Sequence, residues 1–398
     1  MADPLRVLLV GSRILPFRHG GDKNYWLDVI HELRHTGHAV DVLSVALDEV
    51  APISDLPIHY LRPIPVEFGG STRFNADHRF LTGTNNYVSK TVSLPRMLRA
   101  IQRRRGEFRP DVIHFADNFG PGMAVLRLAC SGVPLTISAP TYQGNRLLYD
   151  FALKTSFRPF DTIVPLSDAY ARRLRELGFP ADRLRTIRWG VDTERFVPRS
   201  HEVVRMSRHS LGVRNDDFVV LWTGFTQQSA LPELRFSVDA AVRALELRRD
   251  GLRFLFCFKE EHFQREFMSY ERPGLQVFHT PSAFLAASLS ADVLFSPLLD
   301  NRTTAAPPLV WAEALALGMP VLTTAVPGSE EAIVPGRGGG IVGTSEEAAQ
   351  WIVALAGDLA KRAALQASAR QVALERFSME TSVKAYVALW RQLLAARR

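Results

Sequence analysis

Glu313 stands alone among apolar side chains. Pro307 and Pro308 suit the first turn of a helix, where a missing backbone N–H is no loss. Leu309-Val310-Trp311-Ala312 and Ala314-Leu315-Ala316-Leu317 then enclose the glutamate on both sides. A helix that is apolar all round is a buried helix. A lone carboxylate within it is costly unless it is paired or hydrogen-bonded. Two adjacent hydroxyls of a bound sugar ring would satisfy both oxygens, and so would a structural ion pair with an arginine. His114 and Asp117 close the apolar run Val112–His114. A histidine in a cleft can polarise a hydroxyl or carry a proton; at a strand end it can equally be structural. Gly20 and Gly21 open a helical segment. Glycine lets the backbone approach a phosphate or sugar, and first-turn N–H groups favour anions. A plain glycine turn is the alternative. Arg13, Arg18, His19 and Lys23 flank this pair and can add positive charge.

One metal motif is present in form. His31-Glu32-Leu33-Arg34-His35 matches the zinc-protease spacing HExxH. At about 100° per residue, both histidines fall roughly 140–180° from Trp26, on the solvent side, and no third ligand is identified. Cys130 and Cys257 form no CxxC pair and sit in apolar surroundings, so they read as buried thiols in a reducing cytoplasm. No metal site is expected. No G-x-G-x-x-G follows the first strand and no P-loop occurs, which argues against a dinucleotide oxidoreductase or a P-loop enzyme.

These residues need a scaffold. The chain has 398 residues, which suggests two domains of roughly 150–200 residues. Hydrophobic residues make up 46% and charged residues 22%, which excludes a disordered chain, a fibrous repeat and a coiled coil. No apolar stretch reaches the ~20 residues of a membrane-spanning helix, and the opening residues carry no leader pattern. Short apolar runs alternate with helical patterns. In the first half they are Arg6–Val10, Ala39–Val45, Val112–His114, Leu135–Ser138 and Thr162–Pro165. In the second they are Phe218–Thr223, Arg253–Phe258, Leu275–Phe278, Val293–Ser296 and Pro320–Thr324. A helix over Asp22–Thr36 is expected, with Trp26, Ile30 and Leu33 on one face. Val197–Asp217 reads as a polar linker, and Gly338-Gly339-Gly340 as a turn. Strands separated by helices imply parallel sheets. The fold class is α/β, with two Rossmann-like doubly wound domains facing a cleft. Ligands in such sheets bind beyond the carboxyl ends of the strands. That singles out the loops Gly11–Gly21, Phe225–Leu231 and Leu298–Pro307.

Charge is uneven. Residues 1–198 hold 26 Lys+Arg against 20 Asp+Glu, and the remainder 22 against 21. The excess suggests an anionic partner of the first half. The stretch 96–109, with Arg96, Arg99, Arg103, Arg104 and Arg105, is a basic amphipathic helix that can rest on anionic lipid or simply face solvent. Interleaved aromatics are lacking there, so nucleic-acid binding is not expected.

Several motifs in order resemble a known family. Gly20-Gly21 with a following helix, Gly37-His38-Ala39-Val40, Pro110-Asp111-Val112-Ile113-His114 and Thr162-Ile163-Val164-Pro165-Leu166-Ser167 are similar to the first half of family-four glycosyltransferases with the GT-B fold. So is Gly190-Val191-Asp192-Thr193-Glu194-Arg195-Phe196. Ala291–Pro297 and Glu313–Val321 resemble the family's donor-domain core, and Phe377–Leu394 its closing helix. The resemblance implies an acceptor domain over 1–198, a nucleotide-sugar domain over 199–376 and a segment 377–398 that crosses back to the first. It further implies sugar transfer with retention, without metal or cofactor, from a nucleotide-diphosphate sugar to an acceptor that is a small molecule, a glycan or a lipid-linked glycan. The expected location is the cytoplasm, with the inner face of the membrane as the option that the basic stretch 96–109 raises. Glu313 takes the place of the family's ribose-binding glutamate.

The sequence also departs from the family pattern. Ala305 occupies the place of a sugar-contacting glutamate, and Phe225 and Ala230, after Gly224, replace the arginine and lysine that neutralise the diphosphate. Gln227, Gln228, Lys259, Arg302, Thr303 and Thr304, with the free amides at Leu309 and Val310, are the candidate substitutes. A non-catalytic GT-B scaffold is the alternative that these losses raise.

Overall fold

The computed structural model describes residues 3–12, 14, 21–45, 56–62, 64, 92–139, 147–224, 230–258, 265–300 and 306–397. The chain forms two units. One contains Met1–Trp189 and Met379–Arg398, and the other Gly190–Ser378.

The first unit is built on a six-stranded parallel sheet. Its strands are β1 (Arg6–Ser12), β2 (Ala39–Val45), β3 (Ile58–Leu61), β4 (Val112–Phe115), β5 (Leu135–Ala139) and β6 (Thr162–Pro165), ordered β3-β2-β1-β4-β5-β6. The continuous apolar runs are what a sheet covered on both faces requires; Val7, Leu8, Leu9 and Val10 are all fully buried. The helix Gly21–His35 turns Trp26, Ile30 and Leu33 inward, as their spacing predicts, and leaves His31 and His35 exposed. The helix Met379–Ala395 packs against it.

The second unit holds β7 (Phe218–Gly224), β8 (Leu252–Phe258), β9 (Leu275–Phe278), β10 (Val293–Phe295), β11 (Val321–Thr324), β12 (Val334–Pro335) and β13 (Gly338–Val342), ordered β12-β13-β11-β10-β7-β8-β9. In each sheet the order reverses beside the first strand: β1 lies between β2 and β4, and β7 between β8 and β10. Such reversals leave a crevice at the carboxyl ends where doubly wound sheets bind ligands.

Three expectations change. The stretch 197–217 is not an irregular linker: it holds the helix His201–Ser210, whose N-cap Ser200 accepts a hydrogen bond from the Val203 N–H. The first unit ends at Trp189, before position 198, because residues 190–198 are tied into the second. The Val191 N–H donates to the Phe377 carbonyl at 2.7 Å, and Arg370 donates to the carbonyls of Thr193 and Phe196. Gly338-Gly339-Gly340 is a strand, not a turn. A Cβ on Gly339 would lie 1.8 Å from the Val321 carbonyl oxygen, so only glycine lets β13 approach β11.

Candidate functional site

In the second unit, the carboxyl edge of the sheet is organised by short-range bonds. The Thr323 hydroxyl donates to the Ser296 carbonyl at 2.8 Å, and the Leu298 N–H donates to Thr324 Oγ1 at 2.8 Å. The fully buried Trp311 donates from Nε1 to Ser296 Oγ at 2.9 Å. These bonds fix the chain leaving β10 against the helix Leu309–Ala316, which starts at this edge with Pro308 as its N-cap and no side-chain cap. Leu309 and Val310 thus open a helix whose first N–H groups are not used by a cap. Gly328, at φ +101°, passes so close to Ala306 that a Cβ would meet its carbonyl oxygen at 2.4 Å.

Glu313 lies on this helix. Leu309, Trp311, Ala312, Ala314, Leu315 and Ala316 are buried, as the apolar sequence predicts. The helix is not closed all round, however: Val310, Glu313 and Leu317 form a half-buried stripe. Their spacing of three and four residues places them on one face, and the Glu313 side chain is only partly buried.

Gly224 ends β7 beneath the Trp222 indole, and a Cβ there would lie 2.5 Å from the ring. Its need for glycine is therefore already explained by packing. Ala230 is buried and precedes the helix Leu231–Leu247, so the place of the family's lysine is filled by a methyl group. One group escaped the sequence reading. Glu233, in the first turn of that helix, is 7% exposed. Its signal was the Pro-Glu pair in a first turn, where a carboxylate meets the positive end of the helix dipole. Gln227, Gln228, Lys259, Arg302, Thr303 and Thr304 lie outside the described residues, as do Gly20, Arg13, Arg18 and His19.

In the first unit, Gly21 begins its helix, and Asp117 follows β4 half-buried. Asp117 Oδ1 accepts from the Asn118 N–H at 2.9 Å, and Asn118 Oδ1 accepts from the Gly120 N–H at 2.8 Å, so the pair shapes the turn after β4. Asp192, now in the second unit, is likewise a turn residue, accepting from the N–H groups of Glu194 and Arg195.

His114 does not fit the catalytic role considered for it. The side chain is fully buried, with Nδ1 2.7 Å from Thr136 Oγ1 and Nε2 3.1 Å from Ser138 Oγ. Ser138 Oγ is also 2.9 Å from Tyr386 Oη, and Trp390 Nε1 donates to Thr136 Oγ1 at 3.2 Å. Both ring nitrogens are occupied inside the first unit, leaving none for a substrate. Burial pushes the imidazole pKa from 6.5 down to about 3 and the Tyr386 phenol up to about 12. His114 is a neutral bridge that fastens the returning helix to β4 and β5.

Among the described residues there is no group of three or more metal-ligating side chains, and no helix is long and apolar enough to cross a membrane. Cys130 and Cys257 are buried free thiols, and burial raises the Cys130 pKa to about 11.

Comparison with known proteins agrees with this architecture. Residues 19–195 match the Glycosyltransferase Family 4 model, and residues 217–358 match that of Glycosyl transferases group 1. A protein named as the colanic acid biosynthesis glycosyltransferase WcaL of Salmonella typhimurium is 27% identical over 251 residues, 57% of each chain. Its Escherichia coli K12 namesake is 27% identical over 246 residues, 59% of this chain and 58% of that one. The chain thus aligns with a little over half the length of these relatives. Solved structures share the fold. Sucrose-phosphate synthase of Thermosynechococcus elongatus superposes with a TM-score of 0.74 at 18% identity, covering 98% of this chain and 100% of the other. Anabaena HepE, in complex with UDP-glucose, gives 0.70 at 15% identity, covering 98% and 100%. A glycosyltransferase of Rickettsia africae gives 0.71 at 14% identity, with 99% of each chain covered. The chain belongs to the family-four-like glycosyltransferases with the GT-B fold.

Proposed function

We propose that this chain transfers a sugar, with retention and without a metal, from a nucleotide-diphosphate donor held by the second unit. The observation that carries the reading is Glu313: one carboxylate on the half-buried stripe of an otherwise apolar helix that starts at the carboxyl edge of the sheet. Its oxygens suit the two ribose hydroxyls, and the amides of Leu309 and Val310 suit a phosphate. The UDP-glucose bound by HepE supports a nucleotide sugar as the donor class. The WcaL name supports a glycan or lipid-linked glycan as acceptor. A peripheral position at the inner face of the membrane, in the cytoplasm, fits the exposed Arg96, Arg99 and Arg103 of the helix Leu94–Phe108. Arg104 and Arg105 are not part of that surface: Arg104 pairs with Asp41 at 2.7 Å, and Arg105 donates to the Ala129 carbonyl.

Glu313→Ala is expected to weaken nucleotide binding by calorimetry more than Glu313→Gln, because an amide keeps part of the ribose bonding. Loss of a hydrogen bond to a charged group is worth ~1.5–3 kcal/mol, roughly ten- to a hundredfold in affinity. Equal and unaltered affinity in both variants removes Glu313 from the site. Lys259 and Arg302 are proposed to supply the diphosphate's countercharge, so the double variant Lys259→Ala, Arg302→Ala is expected to lose most of its turnover. Wild-type rates would assign that charge elsewhere.

Ala230 in the lysine's place sustains a second reading, a scaffold that binds no donor. A thermal-shift panel of nucleotide sugars separates the two, since bound ligand raises the midpoint by mass action. A panel with no shift favours the scaffold.

A further inference from the structure

The second unit has a cavity of about 690 Å³ at one edge of its sheet. Asn215, Ala291–Asp292 and Leu317–Gly318 line it and precede β7, β10 and β11, so it lies at the amino ends of the strands. Gly224, Ser296 and Leu309 mark the opposite, carboxyl edge. Five arginines reach this cavity: Arg199, Arg205, Arg208, Arg362 and Arg370. The single carboxylate among the described lining residues, Asp292, is engaged by Arg208 Nη2 at 2.8 Å and by the Val219 N–H.

The other bonds of these arginines run to neutral carbonyls: Arg208 also reaches Asn215, Arg370 also reaches Thr193 and Phe196, and the rest lie at helix ends. Arg199 donates to Ser288 and Ala291 (3.0 and 2.7 Å), Arg208 to Ser290, Arg370 to Ala316 (2.8 Å) and Arg362 to Ala356 (3.0 Å). These carbonyls close three helices, Pro281–Ser290, Leu309–Ala316 and Ser345–Gly357. Each helix end carries roughly −0.5 of a charge. Five arginines against one carboxylate leave four positive charges, and three helix ends reduce that to roughly +2.5. The surplus sits in a partly desolvated space. Burial lowers the Arg199 pKa, Asp292 opposes that and Arg208 adds to it. Among the described residues the Nε–H of Arg362 is buried without an acceptor, while its guanidinium lies 4.6 Å from the centroid of the Phe218 ring. Arg205 is exposed and has no partner among the described residues. A purely structural staple of helix ends needs neither the free Arg205 nor an unfilled donor.

We propose that this cavity, at the edge of the sheet opposite the start of the Glu313 helix, binds a small phosphorylated molecule carrying two to three negative charges. Its volume falls in the range of ligand pockets, ~300–1,000 Å³, and guanidinium forks match phosphate geometry. The site goes beyond the proposed transferase chemistry and does not depend on it.

The test is calorimetric titration of the full chain with inorganic pyrophosphate. Saturable binding with a Kd below about 100 μM is expected. Arg205→Glu reverses a charge on an exposed side chain, so it should leave the ligand-free melting point unchanged while raising the Kd by at least about tenfold. Arg205→Lys should raise it less. Unchanged affinity in Arg205→Glu, or no saturation below about 1 mM, overturns the proposal. In competition, displacement of pyrophosphate by a hexose phosphate supports a phosphorylated-sugar ligand, and displacement by a nucleoside diphosphate supports a nucleotide. Displacement by neither overturns the site.

Discussion

Gly339→Ala is expected to abolish folding of the second unit. Gly339 pairs with Val321 in the parallel ladder between β13 and β11. An alanine methyl there would lie 1.8 Å from the Val321 carbonyl oxygen and 2.7 Å from its carbon, far inside contact distance. The clashing atoms are backbone, so no rotamer change relieves them. Either the ladder opens or β11 shifts, and β11 also holds β10, the strand that leads into the Glu313 helix. A cost above ~4 kcal/mol is expected, a large share of the ~5–15 kcal/mol that holds a typical domain folded. Gly336→Ala is the control. That glycine also has positive φ, +76°, but nothing lies within 4 Å of its Cβ position. Its cost should be only ~1–2 kcal/mol of backbone strain. Denaturant unfolding of both variants gives the comparison. Similar stabilities would show that β13 does not approach β11 as closely as described.

The second large effect is a pH dependence centred on His114. The imidazole titrates at about 3 in the folded chain, against 6.5 when unperturbed, because it is buried. Above pH 6.5 the ring is neutral in both states and its contribution to stability is fully present. Below 6.5 the unfolded chain takes up a proton that the folded chain refuses until about pH 3, so stability is lost over that window as pH falls. At 1.36 kcal/mol per pH unit, about 2–3 kcal/mol is lost by pH 4.5. For a unit of this size that lowers the melting point by roughly 5–10 °C. His114→Gln keeps a polar group between Thr136 and Ser138 but cannot titrate. It is expected to be less stable than the native chain at pH 7.5 and to approach it at pH 4.5. Melting curves for the two proteins that stay parallel from pH 7.5 to 4.5 would place the acid sensitivity in other groups.

The same histidine shows where local reading stops. Val112–His114 is legible as a strand, and a histidine at its end looks available for chemistry. Its partners Thr136, Ser138 and Trp390 lie 22, 24 and 276 residues further along the chain, and nothing in the local pattern reveals that they close around it. The glycine triplet misleads in the opposite way. Glycine is read as a turn former because of its φ freedom, whereas Gly339 is required by the approach of a strand distant in sequence.

Hydrophobic periodicity, spacing and length in the sequence alone determined the alternating strands and helices, the inward face of Trp26, Ile30 and Leu33, and the two-part organisation. The elements and their inward faces follow from local geometry, in which side chains repeat every two or 3.6 residues, and the two-part organisation from a length beyond what one core holds. The sequence alone also marked Glu313, because a single charge within eight apolar neighbours is visible without coordinates. The tertiary structure decided how open that helix is, which histidine atoms remain free and where the first unit ends. It also brought Arg199, Arg205, Arg208, Arg362 and Arg370 around one cavity, although Arg199 and Arg370 are far apart in the chain. Those outcomes depend on which surfaces meet after folding, and burial, carbonyl bonding and charge summation are properties of the assembled neighbourhood that no short window of sequence contains.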